Sequence, residues 1–75
     1  VTVNELVIGQ QATVKAFTDV ELGHQLLEMG VIPGESIVLE RVAPLGDPIA
    51  VRVSDVLLMM RRKEAASVIV TAATV

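Results

Sequence analysis

The chain's single imidazole, His24, lies four residues before Glu28, and on a helix the two would share a face. Such a pair invites a metal ion. A selective transition-metal site needs three or four nitrogen, sulfur or carboxylate ligands, however, and this sequence has no cysteine and no second histidine. His24 is therefore expected to be a solvated surface side chain, with no metal site and no cofactor. Nucleophilic chemistry has no better footing. Ser36, Ser54 and Ser67 lack a base in any recognisable motif. The carboxylates are scattered, and no glycine-rich loop leads from a strand into a helix as phosphate cradling requires. The expectation is a protein that is not an enzyme.

The remaining candidates are for contact rather than catalysis. Arg61-Arg62-Lys63 is the sole basic cluster and has the charge to meet a phosphate, of a nucleotide or of a lipid headgroup. The commoner role of such a run is to keep a strand end soluble. Just before it, if Leu58 and Met60 point inward along a strand, the two-residue period turns Leu57 and Met59 outward. Methionine at such a place is adaptable and common on binding surfaces. The ordinary arrangement would be a helix laid over that face, making both residues core. Met29, at the end of a predicted helix, is ambiguous in the same way. Met29, Leu57, Met59 and Arg61 are the residues singled out for partner binding.

Composition bounds the rest. Seventy-five residues make one domain, 1–75, without room for a second core. Scaling laws give about 7,000 Å² buried on folding, worth on the order of 105 kcal/mol of apolar burial against about 110 kcal/mol of chain entropy. The near balance makes self-association a third possibility, since copies that bury surface between them relieve a marginal core. Net charge is −3, and one phenylalanine is the whole aromatic content. Nucleic acid is an unfavoured partner, because single-strand binding uses several stacking rings in a positive groove. The longest uninterrupted apolar run, Val56 to Met60, is far too short to span a bilayer, so no membrane insertion is expected. The absence of cysteine agrees with a reducing compartment, and Val1-Thr2-Val3-Asn4 has no signal-peptide character; a cytoplasmic location is the expectation.

Periodicity supplies the elements that must position these residues. Gln11 to Phe17 alternates as a half-buried strand. Thr18-Asp19-Val20-Glu21 then reads as a capping box, with Phe17 and Leu22 at the staple positions. The helix is predicted over Asp19 to Met29, with Val20, Leu22, Leu26, Leu27 and Met29 along its apolar stripe. Gly23 inside it costs about 1 kcal/mol relative to alanine. Gly30 suits a left-handed C-terminal cap with Val31 packed on Leu26, and Pro33-Gly34 the centre of a type II turn. Strands are predicted over Glu35 to Val42, Pro48 to Val53 and Val56 to Arg61, the last two joined by a tight Ser54-Asp55 link. One helical turn at Lys63 to Ala66 and a final strand at Ser67 to Thr71 complete the chain. The fold class implied is mainly β: a small, closed SH3-like barrel of about five antiparallel strands with one short helix after the first.

Four segments in the right order carry a family resemblance. Glu5-Leu6-Val7-Ile8-Gly9 with Ala12-Thr13-Val14, then Leu26 to Gly34, then Val42-Ala43-Pro44-Leu45-Gly46-Asp47-Pro48-Ile49, and finally Leu58 to Ala65 resemble the corresponding stretches of FeoA domains. The resemblance implies an SH3-like barrel without catalysis that supports bacterial ferrous-iron uptake by binding the cytoplasmic part of the transporter FeoB. The same fold occurs as the C-terminal domain of DtxR-like metal-dependent repressors, and that is the alternative reading.

Overall fold

A computed structural model describes residues 1–72. Five strands form one antiparallel sheet: β1 (Gln11–Phe17), β2 (Ser36–Val42), β3 (Ile49–Val53), β4 (Val56–Met60) and β5 (Val68–Ala72), in the spatial order β4-β3-β2-β1-β5. Helix α1 (Val20–Met29) follows β1, and a single turn, α2 (Arg62–Ala65), links β4 to β5. The mainly β architecture and helix position agree with the expectation, and strand bounds differ by a residue at their ends.

The sheet coils because two of its strands carry an extra residue. The β1–β5 register shifts between Val14 and Ala16, and the β2–β3 register shifts between Leu39 and Arg41. Each bulge sharpens the local twist and bends its strand. Alternating inward side chains then meet in one core, in which Val14, Leu26, Val31, Ile37, Leu39, Ile49, Val51 and Val68 are almost completely buried. Among the described residues no ladder joins β4 to β5, and α2 connects the two strands at that end of the SH3-like barrel.

The helix departs from its sequence signature at the start. Asp19, not Thr18, is the N-cap: its carboxylate accepts the amide of Leu22 at 2.9 Å. Thr18 is occupied elsewhere, donating its amide to the Ser67 carbonyl at 2.8 Å and so extending the strand contact beyond β1. The exit follows expectation. Gly30 has φ 106°, Val31 donates to the Leu26 carbonyl and Gly30 to that of Leu27, a Schellman ending with Leu26 and Val31 both buried. Gly34, at φ 96°, occupies the predicted turn, closed by Glu35 donating to Ile32.

The apolar stripe of α1 is narrower than predicted. Leu26 and Gly23 are buried and Leu22 is half-buried, but Val20, Leu27 and Met29 are exposed. The reason lies in Gly23. A Cβ there would stand 3.0 Å from the Phe17 Cβ, so the helix backbone lies directly on the end of β1 at that point. That close approach orients the helix about its Gly23–Leu26 line and leaves the flanks of the stripe in solvent.

One element escaped the sequence reading. Val3–Glu5 forms a 3-10 turn, in which the Glu5 carboxylate accepts the Thr2 amide at 2.9 Å and the Thr2 hydroxyl at 3.2 Å. Thr2-Val3-Asn4-Glu5 has the spacing sought at Thr18 to Glu21, so a signal for it was present.

Candidate functional site

The hairpin between β3 and β4 sets out the site. Ser54 and Asp55 have φ of 49° and 65°, both left-handed, as a two-residue turn matched to strand twist requires. The turn pairs Val53 with Val56, and the register runs on through Arg52–Leu57, Val51–Leu58, Ala50–Met59 and Ile49–Met60. Opposed residues share a face. Val51, Ile49 and Met60 therefore go to the core with Leu58 packed against it, while Arg52, Leu57, Ala50 and Met59 form the outer face. Across β3, Arg41 of β2 stands opposite Ala50 and completes a row, Arg41–Ala50–Met59.

Among the described residues no helix covers this face. Leu57 is 44% and Met59 56% exposed, so the arrangement in which both are core does not hold. Helix α1 packs against β1 instead. Ala50 is itself buried at 3%, although it points outward, because taller neighbours surround its methyl group. The result is a hollow of about 110 Å³ floored by Ala50 and walled by Arg41, Ala43, Pro48, Leu57 and Met59. Past Met59 a shallower groove of about 290 Å³ runs on between Pro48, Met60, Arg61 and Glu64.

Charge at the site opposes the charge of the chain. Arg41 and Arg61 flank the two depressions, and the sole ion pair among the described residues joins Arg52 to Glu40 at 2.6 Å. Two exposed guanidinium groups thus border an apolar strip on a protein of net charge −3. The surface is suited to an apolar side chain followed by a carboxylate.

The basic cluster is split by the fold. Arg61 is exposed and borders the groove, but Arg62 turns into the structure. Its Nε donates to the Gly46 carbonyl at 2.7 Å, and a terminal nitrogen donates to the Asn4 carbonyl and Oδ1 at 3.2 and 3.1 Å. The Arg62 amide donates to Asp47 Oδ1 at 3.0 Å. Arg62 thus ties α2 to the 43–48 loop and to the N-terminal turn. Of the residues singled out for partner binding, Leu57, Met59 and Arg61 come together. Met29 is exposed at the far end of α1 and lines neither depression. Ala50, Arg41 and Pro48 were missed, since an alanine floor is visible only once strand register is known.

His24 is exposed on α1, and among the described residues no three of histidine, cysteine, aspartate and glutamate come together as a metal site would need. Among the described residues no helix is long and apolar enough to cross a membrane.

Comparison with known proteins gives consistent matches. A family profile described as the FeoA domain matches residues 1–72. The solution structure of a FeoA protein from Chlorobium tepidum superposes with a TM-score of 0.90 at 33% identity, covering 99% of this chain and 71% of that one. A FeoA from Stenotrophomonas maltophilia, crystallised with zinc, matches with a TM-score of 0.82 at 28% identity over 93% of this chain and 88% of that one. That protein is described as a prokaryotic SH3 domain protein and a candidate ferrous iron transport activating factor. IdeR of T. acidophilum shares the fold, with a TM-score of 0.83 at 24% identity, and this chain covers 97% of its own length but 34% of IdeR.

Proposed function

Because the chain belongs to the FeoA family, we propose that it is a cytoplasmic accessory protein of ferrous-iron uptake, which binds the cytoplasmic part of a FeoB-type transporter and modulates its transport or GTPase cycle. The observation that carries this reading is the uncovered strip over Ala50, with Leu57 and Met59 exposed beside Arg41 and Arg61. An apolar centre rimmed by charge is the usual anatomy of a protein-binding patch. Nothing in the candidate site offers a nucleophile with a base, so the protein acts by docking.

Co-purification with a cognate FeoB tests the proposal. Met59→Asp is expected to abolish capture, and Val20→Asp, at an exposed apolar residue of α1 outside both depressions, to leave it intact. Normal ferrous-iron uptake in a strain lacking this protein, together with no association, would sink the reading. The repressor alternative rests on fold likeness alone. A reading frame continuing upstream into a winged-helix segment would favour it.

A further inference from the structure

The free edge of β4 is a self-complementary strand, and we infer that two copies of this chain pair antiparallel along it in one register, centred on Leu58. β4 lies at the end of the sheet, with β3 as its only neighbouring strand among the described residues. The two-residue turn makes Val53–Val56 the hydrogen-bonded closing pair. By alternation Leu58 and Met60 also bond to β3, and the amides and carbonyls of Leu57 and Met59 point away from it. Among the described residues no backbone bond to another element uses either of them. Val56, Leu57 and Met59 are exposed along the same strand. An uncharged edge of this kind is a template for another strand.

Charge selects the occupant and the register. Asp55 precedes β4 and Arg61 follows it, each three residues from Leu58. In an antiparallel pair centred on Leu58, Asp55 of each copy lies opposite Arg61 of the other, and Leu57 opposite Met59. Inward residues then meet inward residues, and the outward-pointing backbone groups of Leu57 and Met59 satisfy one another across the two-fold axis. Sliding the centre by one residue, to Leu57 or to Met59, is the next register that keeps the faces matched. It sets Asp55 or Arg61 against an apolar side chain and leaves the opposite charges apart. The symmetry is isologous, so a single contact of each type closes the assembly as a dimer. The two hollows over Ala50 lie on the sheet face rather than at its edge, so pairing joins them into one strip.

The absence of native cysteine makes the register directly readable. Leu57→Cys and Met59→Cys alter exposed side chains, and mixed under mild oxidation they are expected to form a disulfide-linked heterodimer. Opposed strand residues lie about 5.5 Å apart, within disulfide range. Either variant alone is expected to cross-link poorly, because its two copies are offset by roughly 8 Å. Sedimentation equilibrium of the unmodified chain is expected to show a monomer–dimer equilibrium, which Arg61→Glu weakens about tenfold by turning two attractive pairs into repulsive ones. Circular dichroism of each variant reports retention of the fold. A chain that stays monomeric into the millimolar range overturns the inference. So does a dimer indifferent to Arg61→Glu, or self-linking of Leu57→Cys as efficient as the mixture. Slowed amide exchange at Leu57 and Met59 only when a transporter segment is added would assign the edge to that partner instead.

Discussion

At one end of the sheet, β5 receives the N-terminal segment. Val70 donates its amide to the Val1 carbonyl at 2.9 Å, Thr2 bridges to Ile69, and Val3 is completely buried beneath. At the other end, β4 meets no element on its outer side among the described residues, and three of its five side chains are largely exposed. Both strands are almost wholly apolar. What separates them is where the rest of the chain passes: residues 1–5 and α2 lie over one end, and Arg62 pins them there through Asn4 and Gly46. Edge protection is thus a property of the path of the backbone, and the strand with the unprotected edge also carries Leu57 and Met59, which are proposed to meet a partner.

The largest effect is expected from releasing that pin. Arg62→Ala removes three side-chain hydrogen bonds around a half-buried guanidinium, and a loss of about 2–3 kcal/mol in urea unfolding is expected. Uncovering β5 as well should make the variant prone to aggregate. Arg62→Lys should recover less than half of the loss, because one ammonium cannot span both carbonyls as the planar fork does.

On the covered half of the molecule, Gly23→Ala sets helix propensity against packing. Alanine is favoured by about 1 kcal/mol in a helix interior. The new methyl group would stand 3.0 Å from the Phe17 Cβ, which is fixed to the β1 backbone and cannot rotate aside. Overpacking of about 1–3 kcal/mol wins, and the expected net result is a destabilisation of about 1 kcal/mol by thermal unfolding. An unchanged or raised melting temperature would show that α1 is free to shift.

At the open edge, stability and association should part company. Asp55→Gly relieves a left-handed conformation in a non-glycine residue and is expected to raise stability by about 0.5–1 kcal/mol. It should weaken self-association at the same time, since the partner of Arg61 is removed. The smallest stability change is expected from Met59→Asp, within about 0.5 kcal/mol because the side chain is more than half exposed. Its denaturation midpoint should barely move while capture of the transporter fails. A large loss of stability would show instead that Met59 is structural.

The elements themselves were open to sequence reasoning because their signals are local. Alternation in residues 11–17 and 49–53, the Gly30 cap and the Pro33-Gly34 turn each depend on a handful of adjacent residues, and each appears where expected. The start of α1 was misjudged by one residue because Thr18 faced a competing partner, the Ser67 carbonyl, nearly fifty positions away. The outward direction of Leu57 and Met59 likewise follows from a two-residue period alone. That nothing covers them does not.

By itself, the order of residues determined a mainly β chain with one early helix and a family likeness across four segments. Those properties rest on neighbours in sequence, where backbone geometry and side-chain type act within a few residues. Tertiary structure alone decided that Arg62 is a clamp while Arg61 is exposed beside the groove, that Met29 stands apart from Leu57 and Met59, and that Ala50 floors a hollow. Each of these depends on strand register and on which face the helix takes. A small free-energy balance between distant contacts sets both, and no local pattern encodes it.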